Sequence, residues 1–183
     1  MKVKEVAYYP GYPATKKYLC CEKIKKYVEQ KLKKKKKILI TYSAGIMKIT
    51  ERDLAYYDAI YAIAPVGKYK RGVVKHFATF RKEAGKLKKG GGGGIYTTLA
   101  IEGYSELLTH PIRTYKKIKS IASYNDPYTR EQVNKLYIEG DLISGWEKEE
   151  WTMPSVLGFG HFDFIANPEY YLDKIVNDIE GVK

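Results

Sequence analysis

Two stretches of this chain, Ile38–Thr41 (ILIT) and Ala59–Pro65 (AIYAIAP), are apolar almost without a break, and a segment with helical spacing separates them. A strand that shows one face to water alternates apolar and polar residues. A strand that is apolar throughout is covered on both faces, which is the habit of parallel sheets flanked by helices. An earlier strand candidate, Val3–Tyr9, stops at Pro10-Gly11-Tyr12-Pro13, and Leu19, Ile24, Tyr27, Val28 and Leu32 then recur near helical spacing, with Thr15 placed to cap that helix. Strand, helix, strand, helix, strand in this order calls for parallel pairing through right-handed crossovers. The expected fold class is α/β: a three-layer sandwich on a mostly parallel sheet of about five strands.

Between residue 66 and about residue 130 the pattern changes. HFATFRKEAGKLKK is followed by Gly90–Gly94, and then by two helical segments, TTLAIEGYSELLTH and PIRTYKKIKSIASY. Consecutive glycines fix no conformation and are costly to order, so the run predicts a mobile loop. Strand character returns at Val133–Gly140 and briefly at Val156-Leu157, ahead of GFGHFDF, and Pro168–Ile179 reads as a closing amphipathic helix. With 183 residues the chain is expected to form a single domain, 1–183, with 66–130 as a helical cap inserted into it.

The net charge of +12, from 33 Lys and Arg against 21 Asp and Glu, favours polyanions through counterion release. Nucleic acid is therefore the alternative partner to a small substrate. Most of the lysines fall where helices face solvent, and the run Lys33–Lys37 reads as the positive end of the first helix, where the macrodipole favours cations. A lysine-rich surface with only two glutamines also suits a protein from a hot environment. Cys20 and Cys21 are adjacent, a spacing at which a disulfide is strained, and two lone thiols make no metal site. No metal or cofactor is expected. There is no apolar run of about 18 residues and no signal-peptide pattern at the N-terminus, so a cytoplasmic location is the expectation.

Chemistry is sought at the carboxyl ends of the strands, where open α/β sheets bind ligands. A serine nucleophile needs a base for its proton, a carboxylate to orient that base, and backbone donors for the oxyanion. The chain has three histidines. His76 lies in a Lys- and Phe-rich segment, His110 precedes Pro111 at a helix boundary, and His161 follows a short strand between Gly160 and Phe162. Only His161 has the setting of a base at the sheet edge. Asp141 ends the preceding strand at that edge, and Ser43 ends an earlier one. Glu139 and Asp163 are the other acids nearby. Glu139, on the strand ahead of Asp141, is expected to face the opposite side, while Asp163 is placed to cap the last helix, so Asp141 is preferred.

These residues resemble the α/β-hydrolase superfamily in type and in order, which is Ser, then acid, then His. TYSAG (41–45) is similar to the family's nucleophile turn, EGDLIS (139–144) to the strand end bearing the acid, and GFGHFDFIANPEYYLDKI (158–175) to the histidine loop and final helix. The likeness covers roughly residues 5–67 and 133–179. It departs from the family pattern at Thr41, where the first glycine of G-x-S-x-G is usual, and in having one strand before the nucleophile strand where the family has several. If Val3–Tyr9 pairs directly beside that strand, the loop Gly11-Tyr12 lands next to Ser43, and the N–H of Tyr12 joins that of Ala44 as an oxyanion donor. The resemblance implies a serine hydrolase that cleaves a carboxylic ester or related small acyl substrate. Ser43 would be its nucleophile, His161 its base and Asp141 its acid, with cap residues Phe77, Phe80, Leu99, Leu107 and Leu108 around an apolar pocket. The alternative is a hydrolase-like fold without activity that binds nucleic acid or another polyanion through its basic surface.

Overall fold

The computed structural model describes residues 3–68, 70–145 and 151–182. Among these, five strands form one open, all-parallel sheet in sequential order. They are β1 (Glu5–Tyr9), β2 (Lys37–Tyr42), β3 (Ala59–Ile63), β4 (Asn134–Ile138) and β5 (Thr152–Met153). Apolar side chains on both faces of the middle strands explain the pairing: Ile38, Leu39 and Ile40 are all fully buried. Each such residue stabilises the fold by about 2 kcal/mol.

Register assigns the two faces. Tyr8 pairs with Ile40, and Ile40 with Tyr61, so these three share one face. On that side the Tyr61 hydroxyl donates to Asp178 of α7 (Pro168–Glu180) at 2.7 Å. Tyr27 and Lys31 of α1 (Cys21–Lys31) both bond Asp173 of the same helix. Tyr9 and Glu5 point the other way, bonding Asp53 and Tyr56 of α2 (Glu51–Tyr56). Segment 124–130 lies on this second side too, where Lys135 pairs with Asp126 at 2.6 Å. The result is a three-layer α/β sandwich.

The crossovers differ from expectation. Strand order advances from β1 to β2 to β3, yet α1 and α2 cover opposite faces, so the two connections have opposite hands and one of them departs from the right-handed rule.

Several element boundaries also move. The first helix starts at Cys21, because Thr15 takes a positive φ of 44° and its carbonyl closes a separate turn with Tyr18 and Leu19. That helix ends at Lys31, ahead of the lysine run, most of which is the connection into β2. There the N–H groups of Lys33 and Lys34 donate to Glu180. The strand expected at Val156-Leu157 is a turn, closed by Gly158 N–H to the Ser155 carbonyl, and Thr152–Met153 pairs with β4 instead.

Residues 66–130 hold three helices: α3 (Val73–Lys89), α4 (Gly93–Thr109) and α5 (Pro111–Ser123). The glycine run is a tight turn in which Gly92 N–H bonds the Leu87 carbonyl, and Gly93 and Gly94 already belong to α4. The excursion closes on itself, with Asp126 N–H on the Gly67 carbonyl and Arg71 N–H on the Ala122 carbonyl. Its helices stand at the carboxyl edge of the sheet, where Glu102 and Glu106 of α4 reach the loop after β1.

Candidate active site

Ser43 is the first residue after β2 and opens a 3₁₀ turn, Ser43–Lys48. Its φ of +53° is a conformation that costs a non-glycine residue about 1 kcal/mol or more, and it swings the side chain out of the line of the strand. Two residues on, Gly45 has no substitute: a Cβ there would collide with the Tyr9 carbonyl oxygen and lie 3.1 Å from that of Pro10. This approach seats the turn against the end of β1. The direct pairing of β1 with β2 brings the next loop alongside, so that a Cβ on Gly11 would fall 3.5 Å from Ser43 Oγ. Ala44 is the next residue of the 3₁₀ turn, and Tyr12 follows Gly11 in the loop after β1.

The three residues singled out from the sequence come together. Ser43 Oγ lies 2.7 Å from His161 Nε2, and His161 Nδ1 lies 2.8 Å from Asp141 Oδ2. Ser43 is 7% exposed, and Asp141 and His161 are 2% exposed. The other carboxylate oxygen of Asp141 accepts the N–H groups of Ile143 at 2.7 Å and Ser144 at 3.0 Å. Burial pushes the Asp141 carboxyl up, but the charge and hydrogen bond of His161, with the Ser144 bonds, hold it below its ordinary value. An ionised carboxylate only accepts, so the proton of His161 sits on Nδ1 and Nε2 is free to accept from the serine hydroxyl. Tyr42 fixes the ring from below: its hydroxyl donates to the His161 carbonyl at 2.8 Å and its ring stacks on the imidazole at 5.6 Å.

The other histidines are elsewhere. His76 is on α3, where burial, then Arg71 and His161, lower it to about 4, so it is neutral at pH 7. His110 joins α4 to α5. Glu139 is exposed, and Asp163 is fully buried without capping α7. Asp163 instead accepts from the Ser155 hydroxyl, the Leu157 and Phe159 N–H groups and the Tyr171 hydroxyl, which fastens the turn leading into His161. Its motif, GFGHFDF, was visible in the sequence, but its role as an anchor was not.

Thr41, at the position of the departure from G-x-S-x-G, is fully buried on the side of the sheet away from Tyr42. Its hydroxyl has no partner among the described residues. A methyl-bearing side chain fits there, so the chain does not need glycine at that point.

The apolar pocket expected from the cap is only partly assembled. Phe80 meets Phe162 edge-on at 5.3 Å and Leu99 is buried, whereas Phe77, Leu107 and Leu108 are exposed. A groove of about 870 Å³ beside Val74, Phe77, Arg81 and Lys82 follows the outer side of α3 and includes none of Ser43, Asp141 and His161. Cys20 and Cys21 are free thiols. Among the described residues, no helix is long and apolar enough to cross a membrane. Comparison with protein-family models, with curated proteins and with solved structures finds no match for the chain.

Proposed function

We propose that the chain is a serine hydrolase of α/β-hydrolase type that cleaves a carboxylic ester or related acyl compound. The observation that carries this reading is the unbroken relay from Ser43 Oγ through both ring nitrogens of His161 to Asp141, with Ser43 on a turn of positive φ at a strand end. His161 Nε2 takes the serine proton as Oγ attacks the acyl carbon, and then passes it to the leaving alcohol. Asp141 holds the tautomer and balances the imidazolium. The N–H groups of Ala44 and Tyr12 receive the oxyanion, a contribution of about 3 kcal/mol for a single donor. Water then attacks the acyl-serine with His161 as base again, which returns the free enzyme and the acid.

A fluorophosphonate probe tests this directly. The wild-type protein is expected to label at Ser43, the Ser43→Ala variant to stay unlabelled, and His161→Ala to lose ester turnover by about 10⁴-fold. A folded wild-type protein that takes no label, yet binds DNA with a steep salt dependence, would replace this reading with polyanion binding through the basic surface.

A further inference from the structure

Glu83 of α3 is fully buried in the cap, and its side chain reaches the histidine loop rather than solvent. One carboxylate oxygen accepts the backbone N–H of His161 at 2.9 Å, and the other pairs with Lys86 Nζ at 2.5 Å, one helical turn away. Lys86 then donates to the Gly140 carbonyl at 2.7 Å, immediately before Asp141. Two side chains of one helix therefore grip both loops that carry the His161–Asp141 pair. The loops are shaped for this grip: at Gly160, with a φ of +54°, a Cβ would collide with Glu83 and lie 2.9 Å from Lys86 Nζ. Arg71, just ahead of α3, adds bonds to the Leu142 and Ile143 carbonyls on the same acid loop. The two acids of α4 turn inward as well. Glu106 accepts the Tyr12 hydroxyl at 2.5 Å, and Glu102 accepts the Thr15 N–H at 3.0 Å.

We propose that Glu83 and Lys86 are positioning residues, an ion pair donated by the cap that sets the register of the His161 loop against the Asp141 loop. The inference rests on the hydrolase reading for its kinetic consequence, but not for its geometry. Tyr42 of β2 holds the His161 loop alone, whereas the Glu83–Lys86 pair joins that loop to the Asp141 loop, with a charge-assisted hydrogen bond at each end. The cap is thus part of the catalytic frame as well as a cover.

The test compares Glu83→Ala, Glu83→Gln and Lys86→Met with the wild type on p-nitrophenyl acetate, alongside the NMR shift of His161 Nδ1. Lys86 is partly exposed, so its variant is expected to fold even if Glu83→Ala does not. We expect kcat to fall about 100-fold in Glu83→Ala and about tenfold in Lys86→Met, with KM within twofold of wild type, since neither residue touches substrate. Glu83→Gln keeps an acceptor for the His161 N–H and is expected to fall between them. The Nδ1 shift should move in all three. Unchanged kcat and an unmoved Nδ1 shift in Lys86→Met and Glu83→Gln would overturn the proposal, as would a raised KM with kcat intact. If the wild type neither labels nor turns over, the hydrolase reading fails. The Nδ1 shift alone then decides the positioning role, a moved shift supporting it and an unmoved one overturning it.

Discussion

Asp141 is buried almost completely and yet carries its charge, because the His161 contact and the Ile143 and Ser144 N–H groups offset the cost of desolvation. A carboxyl held below its ordinary 3.8 binds its proton less readily folded than unfolded. Its contribution to stability is therefore complete above that value and is lost as the pH falls through the lower, folded one. We expect Asp141→Asn to be destabilised by about 2 kcal/mol at pH 7, with the gap to wild type closing below about pH 3.8 in urea titrations. Ester turnover should fall about 10⁴-fold, since an amide no longer selects the Nδ1–H tautomer. The candidate site was legible at Ser43, Asp141 and His161 because each type is chemically distinctive and Ser43 and Asp141 follow strand ends. Glu83 was not, since a glutamate in a lysine-rich helix looks like a solvated residue until the fold shows it buried. Asp163 was seen, but in the guise of a helix cap.

At the scale of elements, the run Gly90–Gly94 shows where composition misleads. Five glycines in a row predict mobility, yet three make the turn between α3 and α4 and two are absorbed into α4, because packing of the two helices outweighs the entropy of ordering them. Gly93 has open space where a Cβ would sit and no positive φ. Gly93→Ala is expected to stabilise the protein by about 0.5–1 kcal/mol, a rise of about 2–3 °C in Tm, with ester turnover unchanged. A large loss of turnover in that variant would restore the mobile-loop reading. The strand misplaced at Val156-Leu157 has a similar cause. Two apolar residues suggested a short strand, but they are half exposed on a turn organised by Asp163, and Thr152–Met153 takes the edge position by pairing with β4 and burying Met153. The long apolar strands β2 and β3 were legible because burial on both faces leaves a pattern that turns and two-residue strands cannot produce.

Across the whole molecule, stability is expected to be graded. The strands β2 and β3 lie under helices on both faces, whereas α4 and α5 expose Ile101, Tyr104, Leu108, Ile112 and Tyr115. Native-state hydrogen exchange should find the amides of β2 and β3 slowest and released only by global unfolding, with those of α4 and α5 at least about tenfold faster. Equal protection throughout would mean that cap and sandwich unfold as one unit. The layer architecture was readable from strand and helix order, but the opposite hands of the first two crossovers were not, since handedness depends on which face each helix takes and no local pattern records it. One further consequence follows from the way the excursion leaves and rejoins the sandwich at a single point, Gly67 beside Asp126. A segment anchored like this resembles a cassette: the outward-facing residues of α4 and α5 can change without moving β3 or β4. If the hydrolase proposal holds, substrate preference can change in the exposed part of this segment apart from the stability of the sheet, while Arg71, Glu83, Lys86, Glu102 and Glu106, which bond the sandwich, are among the positions held fixed.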